Sequence, residues 1–206
     1  MSIFSVPTRI LSGEAAFEQL KAYAITRACI ICDPFVAKSG LLNKLLKVLA
    51  EMGANHRIFS DIRPDPDTDL VVEGLQQILE HKPDAVIAVG GGSAIDAAKA
   101  IALGAAEPEA DLWDFWLGKR PVERTLPVGA VLTISAAGSE TSSSAVLTRD
   151  DTLEKRGLTS EQIRPRFAVM DPELTCSLPP YQIACGVVDI MMHTLDRYFT
   201  CVTGNL

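Results

Sequence analysis

Apolar residues along this chain alternate between two textures. Short unbroken runs, such as Arg27–Cys32 (Arg-Ala-Cys-Ile-Ile-Cys) and Asp84–Val89 (Asp-Ala-Val-Ile-Ala-Val), predict strands buried on both faces. Between the runs, apolar residues recur three and four positions apart, the spacing of a helix with one buried face. That spacing predicts a short helix over residues 14–23 and a longer one over Leu41–Met52, stopped by Gly53. Arg-Pro-Asp-Pro-Asp-Thr at 63–68 reads as a turn, with Asp67 or Thr68 placed to cap a helix that runs to about Glu80. His56–Phe59 and Leu126–Ile134 read as further strands, and Leu-Trp-Asp-Phe-Trp at 112–116 as a packed aromatic connection. Thr148–Arg166 is polar and reads as a loop or hairpin, and from Pro179 the pattern turns helical.

Strands alternating with helices imply an α/β fold, a parallel sheet with helices on both faces. The change of texture near residues 175–180 divides the chain into an α/β domain over 1–175 and the beginning of a helical domain over 176–206.

Composition narrows the picture. The chain has 206 residues and is 48% hydrophobic, enough for a substantial core, and it shows no internal repeat. The net charge is −7, from 19 basic and 26 acidic residues, which argues against nucleic acid as a partner. No apolar run is long enough to span a membrane, and the first residues lack a signal-peptide pattern, so a cytoplasmic protein is expected. The five cysteines are irregularly spaced. Cys29 and Cys32 have CxxC form but lie in an apolar run, so buried free thiols are expected ahead of a redox or metal pair.

The most informative stretch is Ala-Val-Ile-Ala-Val-Gly90-Gly91-Gly92-Ser93-Ala-Ile95-Asp96-Ala-Ala-Lys99. A buried strand ends in three glycines, where the backbone can turn sharply and approach a ligand closely. Ser93 is placed to cap the next helix, whose N-terminus would suit a pyrophosphate. The stretch is not the GxGxxG fingerprint, because Ile95 stands at the third glycine, and no Gly-Lys-Ser/Thr follows to make a P-loop. A tight turn without a ligand is the competing reading. Asp96 and Lys99, one turn apart, have the spacing of a surface pair.

Near the end, Gly186-Val-Val-Asp189-Ile-Met-Met-His193 places a carboxylate and an imidazole four apart, on one face of a helix. They could converge on a cation, with Asp196 orienting the imidazole from behind. Alone, the same spacing fits an ordinary amphipathic helix.

Four segments together resemble a known family, the iron-containing (group III) alcohol dehydrogenases. Gly-Gly-Gly-Ser-Ala-Ile-Asp-Ala-Ala-Lys-Ala at 90–100 is similar to that family's coenzyme loop. Thr133-Ile-Ser-Ala-Ala-Gly-Ser-Glu140 is similar to its second coenzyme segment, Phe167–Pro179 to its Asp-Pro-Glu-Leu-Thr strand and turn, and Gly186–His193 to its metal helix. The resemblance covers nearly the whole chain and looks closest to butanol dehydrogenase-like and aldehyde-reducing members.

The resemblance implies a Rossmann-like NAD-binding domain followed by an all-helical metal-binding domain. It implies hydride transfer between a primary alcohol or aldehyde and NAD(H), with a divalent metal, Fe²⁺ ahead of Zn²⁺, as Lewis acid. Gly91, Gly92 and Ser93 match positions that hold the pyrophosphate, Asp96 a position beside the nicotinamide, and Thr133 and Lys155 further coenzyme contacts. Asp33, at the end of the first buried run, matches an acceptor for the adenosine ribose hydroxyls; NADPH-using relatives usually carry glycine there, so NAD(H) is expected over NADP(H). A turn cap before Pro34 is the alternative role for Asp33. Ala137 departs from the pattern, standing where threonine is usual, and removes a hydroxyl from the coenzyme segment. Asp189 and His193 match two metal ligands.

The family pattern has two further histidines downstream, whereas this sequence contains only His56, His81 and His193. The sequence therefore resembles the first half of such a protein, with a homo-oligomer expected of the full-length form. On its own it is expected to bind metal weakly, to expose Ile190, Met191 and Leu195, and to show little or no dehydrogenase activity. A dehydroquinate synthase-like lyase and a non-catalytic nucleotide-binding remnant are the alternatives.

Overall fold

The computed structural model describes residues 6–13 and 15–200. Glu14 and Cys201 lie outside them. The chain opens with strand β1 (Arg9–Ser12), followed by a single 3-10 turn over Glu18–Ala22. The helix expected over residues 14–23 is thus only this turn. Phe17 and Leu20, three apart, are both buried, an arrangement one tight turn satisfies, and Tyr23 leaves it in extended conformation.

β2 (Arg27–Cys32) leads into a one-turn helix α1 (Pro34–Lys38), then α2 (Asn43–Glu51) and β3 (Asn55–Phe59). Helix α3 (Thr68–Leu79) is capped by Asp67, whose side chain accepts the amide of Leu70. It precedes β4 (Ala85–Gly90) and α4 (Gly92–Ala106). The aromatic stretch forms a one-turn helix, α5 (Leu112–Trp116), before β5 (Val128–Leu132). The polar stretch is a hairpin, β6 (Ser144–Arg149) with β7 (Glu154–Thr159). β8 (Phe167–Met170), a 3-10 turn over Pro172–Thr175 and α6 (Pro180–Tyr198) complete the described chain.

Six strands form one sheet in the order β1-β8-β5-β4-β2-β3, parallel at every pairing. Alternate residues of β2 enter opposite cores. Cys29 and Ile31 pack with α3, α4 and α5, whereas Ile30 and Cys32 pack with α1 and α2 on the other face. The two thiols of the CxxC therefore lie on opposite faces of the sheet. Burial pushes both up to about 12, so they are inert core groups as expected.

β1 and β3 are the sheet edges, each pairing with one neighbour and each presenting a single buried residue. That is why β1 carries no apolar run. From β2 the chain moves outward to β3, then returns across β2 to β4 and continues to β5 on the far side. Loops leaving the C-terminal ends of β2 and β4 thus diverge, and a crevice opens between them, the usual position of a ligand in an open parallel sheet. No helix among the described residues is long and apolar enough to cross a membrane.

Candidate coenzyme cleft and metal half-site

The crevice is built from the two strand ends. At β4, Gly90 and Gly91 turn the chain directly into α4. Gly91 is the N-cap, with no side chain satisfying the first turn, so Ser93 is not the cap that its residue type suggested. The strand leaves the sheet two residues too early for that. A methyl group on Gly91 would stand 2.5 Å from Ile134 Cγ2, so only glycine fits where the turn meets the segment after β5. The result is a fifteen-residue helix whose first N–H groups open into the crevice with its positive dipole end.

Two cavities flank this helix start and share Gly92, Ser93 and Ile134. One, of about 640 Å³, is lined by Asp33, Gly91, Thr133 and Cys185 among others. The other, of about 510 Å³, is lined by Asp96, Ala137, Ser139, Lys155 and Asp189 among others. The structure thus gathers eight of the nine expected site residues around one helix N-terminus. His193 lines neither cavity, but its Nε2 lies 3.7 Å from Asp189 Oδ1.

Asp33 does cap α1: its Oδ1 accepts the amides of Phe35 at 2.8 Å and Val36 at 2.9 Å. The cap fixes the carboxylate at the rim of the larger cavity, so the two roles are compatible. Thr133 is buried, and its amide donates to the carbonyl of Gly90. Lys155 reaches Asp65 at 2.6 Å across the mouth of the smaller cavity.

The pair Asp96–Lys99 is not on the surface. Lys99 has no exposed area, and its ammonium donates to the carbonyls of Ser139 (2.9 Å), Ser142 (3.0 Å) and Ser144 (2.6 Å). Asp96 Oδ1 lies 3.8 Å from it, while Oδ2 accepts the amide of Val146 at 3.0 Å. Burial lowers Lys99 to about 8 against the pull of Asp96 and Glu140, and burial also raises Asp96. At neutral pH Lys99 is still mostly an ammonium. Its signal in the sequence is the run Ala-Ala-Lys-Ala-Ile-Ala-Leu, apolar on every side of the helix.

α6 stands off the rest of the molecule. Gly186 is its only buried residue, and Ile190, Met191 and Leu195 are exposed, as expected from the sequence. Asp189 and His193 share one face, and Asp196 makes no hydrogen bond to the imidazole. Among the described residues no group of three or more His, Cys, Asp or Glu side chains gathers to hold a metal.

Comparison with known proteins fits this geometry. The family model described as iron-containing alcohol dehydrogenase matches residues 7–172. The chain belongs to the iron-containing alcohol dehydrogenase family. It is 33% identical over 205 residues to the NADH-dependent butanol dehydrogenase A of Clostridium acetobutylicum, covering 98% of this chain and 52% of that protein. It is 37% identical over 199 residues to the NADPH-dependent aldehyde reductase of Escherichia coli K12, covering 94% and 51%. Among solved structures, the NADH-dependent butanol dehydrogenase A of Thermotoga maritima superposes with a TM-score of 0.89 at 34% identity, over 97% of this chain and 51% of that one. The chain thus spans about half the length of these relatives.

Proposed function

We propose that this chain carries the coenzyme-binding part of an oxidoreductase that moves hydride between NAD(H) and a primary alcohol or aldehyde. The observation that carries this reading is the cleft at the β2/β4 switch point. There, one helix N-terminus without a side-chain cap lies between an acidic rim at Asp33 and a metal-ligand candidate at Asp189. The pyrophosphate would lie on the amides of Gly92 and Ser93. The adenosine ribose would meet Asp33, and the nicotinamide would enter the cavity of Asp96, Lys155 and Asp189.

The relatives use either NADH or NADPH, so the preference must come from residues of this chain. A carboxylate fixed at the rim accepts the ribose hydroxyls and repels a 2′-phosphate, which favours NAD(H). Asp189 and His193 would hold part of the coordination shell of a divalent metal, Fe²⁺ ahead of Zn²⁺. That metal supplies Lewis-acid polarisation of the substrate oxygen when bound.

Nucleotide binding without turnover is the second reading for these 206 residues, supported by the cleft residues they carry. The test of the first part is NADH fluorescence on titration with this chain and with Gly91→Val. Saturable enhancement that the substitution abolishes is expected, because the new side chain would fill the space against Ile134. Equal enhancement with both proteins would contradict the placement.

A further inference from the structure

Lys99 lies too deep to touch a ligand, yet it sits between the two parts of the cleft. It belongs to α4, whose first turn opens on the crevice. Its ammonium gathers three carbonyls, those of Ser139, Ser142 and Ser144, from the segment that leads into β6. That segment contributes Gly138, Ser139 and Glu140 to the smaller cavity and nothing to the larger one. Ser139 Oγ stands 3.4 Å from where a Cβ on Gly92 would be, so the hydroxyl rests against the glycine turn itself. Asp96, one turn earlier, reaches the same segment through the amide of Val146. Among the described residues, no other side chain ties α4 to residues 139–144 with more than one hydrogen bond.

We propose that Lys99 is a positioning residue for the nicotinamide side of the cleft, holding residues 139–144 over the start of α4 so that Ser139 faces the bound coenzyme. The inference rests on the dinucleotide reading above. Its specific content is asymmetry. The clamp shapes the cavity that contains Asp189, where the hydride must be exchanged, and leaves the Asp33 cavity untouched. Three hydrogen bonds from one charged donor are needed because the segment is a loop of small residues with little apolar area to fix it.

The test compares two probes, NADH and AMP, on the unaltered chain, Lys99→Met and Lys99→Gln. NADH spans both cavities, whereas AMP needs only the Asp33 side and the helix start. The expected result is an NADH Kd raised about tenfold or more in Lys99→Met, less in Lys99→Gln, which keeps amide donors, with the AMP Kd within about twofold of the original. A purely structural lysine would move both probes together. Unchanged NADH affinity in Lys99→Met would overturn the assignment. So would parallel loss of AMP and NADH, or failure of both variants to fold, because the clamp would then hold the whole domain. If the unaltered chain binds AMP and not NADH, the dinucleotide reading itself fails, and the inference goes with it.

Discussion

Gly186 of α6 packs directly on the carbonyl of Ser135: a Cβ at that glycine would stand 2.5 Å from the Ser135 oxygen. The contact joins the helix that carries Asp189 and His193 to the segment after β5 that lines the cleft. It is the one place where α6 is buried. Gly186→Ala should therefore lift α6 from its seat while raising its own helix propensity by about 1 kcal/mol. The expected outcome is faster limited proteolysis in the turn between Thr175 and Pro180, with little change in the global melting temperature. Unchanged cleavage would show that the helix docks by other contacts.

Asp33 caps α1 and is the proposed coenzyme rim, and the two roles separate by substitution. Asp33→Ser keeps an oxygen for the amides of Phe35 and Val36 but removes the charge. The ratio of NADPH to NADH affinity should rise by about tenfold or more, with stability lowered by less than about 1 kcal/mol. Parallel titrations with the two coenzymes read the ratio, and an unchanged ratio would remove Asp33 from the specificity account.

Asp84 anchors the starts of β2 and β4. Its carboxylate accepts the amides of Thr26 and Arg27 and the Thr26 hydroxyl. Burial pushes Asp84 upward, but these donors outweigh it and hold the group below its ordinary value of 3.8. A carboxylate depressed in the folded state stabilises above its unfolded value and loses that contribution as pH falls through the folded one. Asp84→Ala should cost about 1 kcal/mol at neutral pH, read as a urea midpoint, and the difference from the parent should shrink below about pH 4. A difference that stays constant down to pH 2 would contradict the assignment.

Asp189 and His193, the two proposed ligands on one exposed helix turn, would by themselves make a weak metal site. Zn²⁺ should bind with a Kd above about 1 μM, be lost on dialysis, and disappear in His193→Ala. Treatment with a chelator should leave the melting temperature unchanged, since no core residue depends on the metal. Stoichiometric zinc that survives dialysis would mean that further ligands reach the site.

Much of this was legible in the chain itself, and what was not has physical reasons. β2 and β4 announce themselves because both faces are buried, and unbroken apolar runs have no other use. β1 stays hidden because an edge strand with one buried residue needs no pattern; its pairing of Arg9 with Phe167 is a long-range fact. The spacing of Asp189 and His193 survives because helix geometry alone puts them on one face. Ser93 misled because cap position depends on where the strand lets go, and Gly91 takes it. Lys99 misled because one-turn spacing from an aspartate is the same in water and in a core. The alanines around it carried the information.

The central claim, that the cleft at the β2/β4 switch point is a site for NAD(H), is tested most directly by calorimetric titration of the chain with NADH. The expected result is saturable binding at one site, with NADPH bound more weakly, and loss of both in Gly91→Val. Absence of any binding by the folded, unaltered chain would contradict it.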